Sequence, residues 1–343
     1  MATFFTDSGS IKHLQTTSSA TLSGSVYIIA PVVITGSLTQ GITNLASGID
    51  SHAQGNYTTA SGNYAHSEGS SSLASGRASH SEGINTTSSG NYSHAEGDRT
   101  QATGYASHAE GSQTVAFGTG SHAEGKFSTS SGDYSHSEGN QTVAIGYGSH
   151  AEGSQTVAFG SGSHAEGDST VASGSYSHAE GLSTTTRGPW SHAEGYATIA
   201  FGTGSHAEGW QSVASGSYSH AEGYQSVARG IYSHATGYLT LASGSASFTA
   251  GQYNTASANY QTVIGHFNSS SADQNTVFII GGGTSTSQRS NILECRITGS
   301  NGGGVPVLPQ IQSFASDVLA AAGGVPLNGL YRDSTGILKI RIS

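Results

Sequence analysis

The sequence predicts an all-β protein, a parallel β-solenoid or β-roll of 14-residue coils with small non-repeat caps at both ends. Three observations carry this. Fourteen of the 16 histidines stand in unbroken register, every fourteenth residue from His52 to His234. Glycine recurs every seventh residue through the same region, closing segments such as Ser121 to Gly125 and Thr114 to Gly118. The composition excludes the common alternatives: of 343 residues only 9% are charged and 50 are glycine, against roughly 25% and 7% in an ordinary globular chain, so one large apolar core is not expected. Five prolines and no Gly-X-Y period exclude collagen, and 16 Tyr with 10 Phe argue against a disordered Gly/Ser chain.

Residues 1–43 lie outside the repeat and are expected to form an attachment or capping region, with strands within Ala20 to Ile34. Val26 to Ile34 is the most apolar stretch, but nine residues containing a proline are too few to span a membrane, so no insertion is expected. The start, ATFFTDSGS after Met1, lacks the basic and apolar run of a secretion signal. The lone Cys295 makes no intrachain disulfide and reads as a structural thiol.

Residues 44–265 are the roll. Each 14-residue unit has two halves that read Ser/Thr-x-Ala-x-Gly plus two turn residues, which suits a short strand and a tight bend. Glycine at every seventh position rules out helix. Some fourteen coils stacked at the strand spacing would give a rod of about 65–70 Å. Alternation places Ser/Thr, Ala and Gly on the inner side and His with Glu, or Val with a variable residue, on the outer side. An interior of small side chains buries too little apolar area to offset the backbone entropy of so long a segment. A closed oligomer, and for a narrow rod a parallel homotrimer, is the expected remedy.

After the roll, residues 266–300 are expected to cap it with the strands Asn275 to Ile280 and Asn291 to Thr298. Residues 301–343 read as a Gly-rich linker, a helix over Gln310 to Ala322, and a hairpin of Leu327 to Tyr331 with Ile337 to Ile342.

The half-repeat Ser-x-Ala-x-Gly resembles the head repeats of trimeric autotransporter adhesins of the YadA type. Its His/Glu form, SHAEG, resembles repeats of phage-type fibre and tail-appendage proteins. The resemblance covers residues 44 to about 265 and implies a left-handed parallel β-roll assembled as a trimer. The absence of a signal and of an anchor barrel favours assembly in a cytoplasm, as for a virion component. The expected function is a structural fibre or spike subunit of a virus particle or phage-like appendage, a rigid spacer and adhesin for a host receptor or glycan; the alternative is a secreted or surface-displayed bacterial trimeric adhesin.

Twelve of the 13 glutamates lie two residues after a repeat histidine, whereas the outward fourth position of the other strand varies from Phe117 to Ser131, Ile145 and Arg187. A solvent-facing strand has no reason to hold one pair so uniformly. The column is therefore expected to face the trimer axis: His66 and Glu68, His94 and Glu96, His108 and Glu110, His122 and Glu124, His150 and Glu152, His164 and Glu166, His178 and Glu180, His206 and Glu208, closing on Phe248 and Ile264. His–carboxylate bonds between chains would then lock the register. Bulky Phe117, Ile145, Phe159 and Phe201 are followed three residues later by glycine, while Ser131, Ser173 and Ser215 are followed by Tyr134, Tyr176 and Tyr218. This exchange predicts an aromatic slot conserved in volume within a packed layer.

Catalysis is not expected, because Ser and His adjacent on a strand point to opposite faces. Metal binding has a chemical basis in His122, His136 and His150, but ions in every layer would crowd, so neither metal nor cofactor is expected. Calcium is disfavoured by the lack of an Asp-rich nonapeptide. The 11 Lys and Arg form no stripe for nucleic acid, and Thr114, Thr142 and Thr156 fall on the inner side, which removes the flat outward Thr ladder of an ice-binding surface.

Overall fold

The computed structural model describes residues 3–7, 10–15, 37–298 and 303–309, isolated residues 320, 322–323 and 325, and the short strands 330–332 and 338–340. Most coils are built from two strands of unequal length; in those that start at His122, His192 and His206 both have two residues. The longer one starts at the histidine, as in His150–Ser154, and the shorter has two residues, as in Val157–Ala158. Coils stack in parallel with no slip: His150 pairs with His136 and His164, and Glu152 with Glu138 and Glu166. The two-residue strands form a 16-stranded sheet. The longer strands form a second sheet, running from Leu38–Ile42 to Thr262–His266 and on through Thr276–Gly282, Asn291–Thr298 and Gly303–Val307. Its end strands pair on one side only, so the sheet is open.

The stack is taller than its histidines suggest. Leu38, Phe248 and Thr262 occupy the histidine position in further layers. Seventeen layers at the strand spacing of about 4.8 Å give a rod of about 75 Å rather than 65–70 Å. It begins at Leu38, inside the region expected to be non-repetitive.

The inward and outward faces follow the alternation. Thr114, Ala116, Ser121 and Ala123 are buried, His122, Glu124 and Val115 are half-buried, and Phe117 is exposed. The interior is too narrow for larger groups. Its alanines stack in columns broken at Ser130, Ser137 and Thr186, and its serines turn inward onto backbone, Ser121 donating to the Gly118 carbonyl at 2.8 Å. Glycine is required where successive coils touch. A Cβ at Gly118 would stand 2.0 Å from the carbonyl oxygen of Gly132, and one at Gly125 would stand 2.2 Å from that of Gly139. The Gly118 column ends in Ala258, in the last coil of the stack.

Each half-coil turns through a residue with φ near +55°, and most of these are not glycine: Gln113 has φ 58° and Tyr134 φ 57°. Such a conformation costs on the order of 1 kcal/mol or more. The stack over-determines it, because each turn N–H donates to a carbonyl of the coil before, Gln113 to Asp98 and Tyr134 to Thr119, both at 2.8 Å.

The ends close with amides. Asn44 bonds the backbone of Gly55 and Thr58 in the next coil, and at the far end Asn254 donates to Ala250 and Gly265 at 2.7 Å each. Val263 and Ile279 supply the only large side chains in the apolar cluster there. The strands expected within 266–300 are present as Thr276–Gly282 and Asn291–Thr298, paired antiparallel. Leu330–Arg332 pairs antiparallel with Leu338–Ile340, and a further hairpin joins Thr3–Asp7 to Ser10–Gln15. The strands expected within Ala20 to Ile34 lie outside the described residues, as does the expected helix over Gln310 to Ala322 apart from residues 320 and 322. Among the described residues no helix is long and apolar enough to cross a membrane.

The aromatic slot is not inside a packed layer of the chain. Phe117 and Tyr134 are 53% and 59% exposed, which puts both on the outside of the roll. The Gly/Tyr half of the pattern is instead a contact between neighbouring coils: the Tyr176 ring folds over Gly162, where a Cβ would come within 2.8 Å of it. Arg187, which departs from the pattern, lies over the Phe201 ring at 4.7 Å.

Candidate functional site: the histidine and glutamate column

Because every long strand starts at its histidine and the strands stack without slip, the imidazoles form one pile. From His52 to His234 each ring is stacked on the next, with centroids 4.6–4.9 Å apart and planes 1–19° from parallel. Phe248 ends the pile edge-on to His234 at 5.3 Å. The His and Glu residues of the predicted ladder all belong to this column, together with His80, His136, His192 and His220 between them. Ile264 lies in the Thr262–His266 strand that follows Phe248.

The side chains of His and Glu remain about one third exposed. Their pairing runs along the chain: His164 Nε2 lies 3.4 Å from Glu152 of the preceding coil and 3.7 Å from Glu166 of its own. Between described His and Glu side chains, only His192 and Glu180, at 3.1 Å, are within ordinary hydrogen-bond distance. The Nε2 atoms of His80, His122, His150 and His164 are buried and have no hydrogen-bond partner.

Stacking so many titratable groups shifts them. His94 and His122 are held below the usual histidine value by burial first and by neighbouring imidazoles second. The carboxylates stand one above another. Glu82 and Glu124 are pushed up to about 7 by hydrogen bonds with the carboxylates of the coils on either side, and Glu208 to about 7 by burial first and the same contacts second. Glu110, which accepts from Glu124 and Glu96, is lowered. Beside the column runs a shallow groove. One stretch, of about 480 Å³, is walled by Glu124, Glu138, Glu152 and Glu166 and floored by glycines such as Gly153.

The arrangement offers no serine nucleophile to the imidazoles, since Ser121 and Ser149 are buried on the inner side and bond backbone carbonyls. It does offer ligands. His122 and His136 share with Glu124 a group whose ligand atoms lie within 4.8 Å of one another, and His150, one coil on, faces Glu138 at 3.7 Å.

One feature of the surface escaped the sequence reading: a row of rings on the turn beside the column. Tyr196, Trp210, Tyr224 and Tyr238 follow one another at 4.0, 6.4 and 4.9 Å. Following the position after the SHAEG glycine at the 14-residue period would have exposed it.

Compared with protein families, the chain matches the YadA head domain repeat at residues 45–65, in overlapping windows from 95–121 to 151–177, and at 193–219 and 207–233. Most windows span two coils, so the family repeat and the structural repeat coincide. The chain thus carries YadA head repeats, and its roll is a YadA-like head β-roll. A search of curated proteins gave no match to the chain.

Proposed function

We propose that the chain is a structural subunit of a trimeric adhesin fibre, in which the roll serves as a rigid spacer that carries binding surfaces away from its carrier. The observation that carries this is the run of YadA head repeats in phase with the coils. The interior supports the trimer. Alanine, serine and threonine columns give a single chain little apolar burial, while Trp190 and Trp210 stand exposed at 65% and 43% and can be covered by neighbouring chains. Threefold association pairs unlike patches around a closed ring. The uniform His/Glu column is the face assigned to the axis, from His66 and Glu68 to His206 and Glu208 and on to Phe248 and Ile264, while the variable face of Phe117, Ser131 and Arg187 is left outward.

The head repeats favour display on a cell surface. A virion fibre is the second reading, favoured by the SHAEG form of the repeat and its likeness to phage-type fibres; its partners would be other virion proteins. In both, three copies on one rod raise weak contacts with a surface receptor or glycan by avidity. Immunogold labelling of the producing cells and of any particles they release tests the proposal. Label on the cell exterior supports the adhesin, label on particles supports the virion fibre, and label confined to the cell interior contradicts both.

A further inference from the structure

We propose that the column binds divalent transition-metal ions, zinc foremost, at three places in each chain, centred on His80, His122 and His164, with the glutamate of the same coil and that of the preceding coil as the other protein ligands. Among the described histidines of the column, these three have the carboxylates of both coils within 4.0 Å of Nε2. His122 Nε2 stands 3.9 Å from Glu110 and 3.7 Å from Glu124, His164 stands 3.4 and 3.7 Å from its pair, and His80 stands 4.0 and 3.7 Å from its own.

The distances are what single the sites out. They are too long for direct N–H···O bonds, yet they approach the edge of a tetrahedral zinc site, where bonds of about 2.0–2.2 Å put neighbouring ligand atoms about 3.4 Å apart. Closing the difference takes small side-chain rotations, which the part-exposed glutamates can make. Each Nε2 is buried and without a hydrogen-bond partner, so loss of its proton on metal binding turns a ligand lone pair toward the carboxylates and breaks no hydrogen bond. Two histidines cannot share an ion, because stacked rings such as His122 and His136, only 5° from parallel, do not converge their lone pairs on one point. The ligand set is therefore one imidazole and two carboxylates, with water completing the shell. A nitrogen donor selects zinc and its neighbours over calcium and magnesium.

The spacing answers the objection that ions in every layer would repel. The three sites are three coils apart, about 14 Å at the layer spacing, and they draw on separate glutamates. Two carboxylates balance each ion. All the ligands come from one chain, so the inference stands or falls separately from the trimer.

The test is zinc retention by the full-length chain without an affinity tag, dialysed at pH 7.5 against buffered zinc and then measured for bound metal. The expected result is three zinc ions per chain, falling to two in His122→Ala. The same fall is expected in the double variant Glu110→Gln and Glu124→Gln, which keeps the imidazole pile intact, and excess calcium should displace none. No retained zinc, a count that the double variant leaves unchanged, or displacement by calcium would each overturn the proposal.

Discussion

At Gly118 the carbonyl of the next coil occupies the space a Cβ would need, whereas at Gly148 nothing lies within 4 Å although φ is +58°. Ala78 and Ala106 hold the position of Gly148 in other coils with φ near 50°. Gly118→Ala is therefore expected to destabilise the roll by on the order of 3 kcal/mol or more, and Gly148→Ala by about 1 kcal/mol or less, as read from denaturant melts. The column provides a second comparison. His150 is stacked between His136 and His164 at 4.8 Å on each side, so His150→Ala should cost about 1–3 kcal/mol per chain, and Ser154→Ala at the far end of the same strand should be nearly silent. Equal melting of these two variants would place the column in free solvent. Residue faces were legible from the alternation, because a period of two assigns Ala123 inward and His122 outward. Left-handed turn residues were not, since Gln113, Tyr134 and Ala106 have no side-chain chemistry in common and only the stack holds them there. Nor could the sequence tell that, within one chain, the carboxylate nearest an imidazole such as His164 belongs to the preceding coil.

A coil is one layer of a pile of like groups, and this gives the element its pH dependence. Nine histidines, among them His66, His94, His150 and His220, are held in the folded chain below the usual histidine value of 6.5. The unfolded chain binds protons at these sites first as pH falls, so stability drops from about pH 7 downward. Glu82, Glu124 and Glu208, raised to about 7, act in the opposite sense: their contribution is complete below 4.5 and is lost as pH rises through 7. Nine groups outnumber three. Thermal melting in chelator should therefore show a lower midpoint at pH 5 than at pH 7; a higher midpoint at pH 5 would mean that the glutamate ladder dominates. The C-terminal end of the pile behaves differently, because Ile279 and Val263 replace alanine there. Ile279→Ala should cost about 2–5 kcal/mol, with early hydrogen exchange confined to strands such as Thr262–His266 and Thr276–Gly282. Coil number was only partly legible. The count rested on histidine, and Leu38, Phe248 and Thr262 carry the same backbone position without it.

For the whole molecule, seventeen thin layers make a long object with little interior, and its largest side chains face outward. The repeat register and glycine spacing were sufficient to read the roll from the sequence. The aromatic exchange misled because volume exchange on an outer surface has the same pattern as volume exchange in a core. An isolated chain of this kind is not expected to hold its fold, and folding and association should be a single event. Sedimentation equilibrium of the intact chain over a wide dilution series, with circular dichroism at each concentration, tests this most directly. The account predicts that every folded species has three times the 34.6 kDa chain mass, with β-structure lost wherever the trimer dissociates. A folded species sedimenting at 34.6 kDa would contradict it.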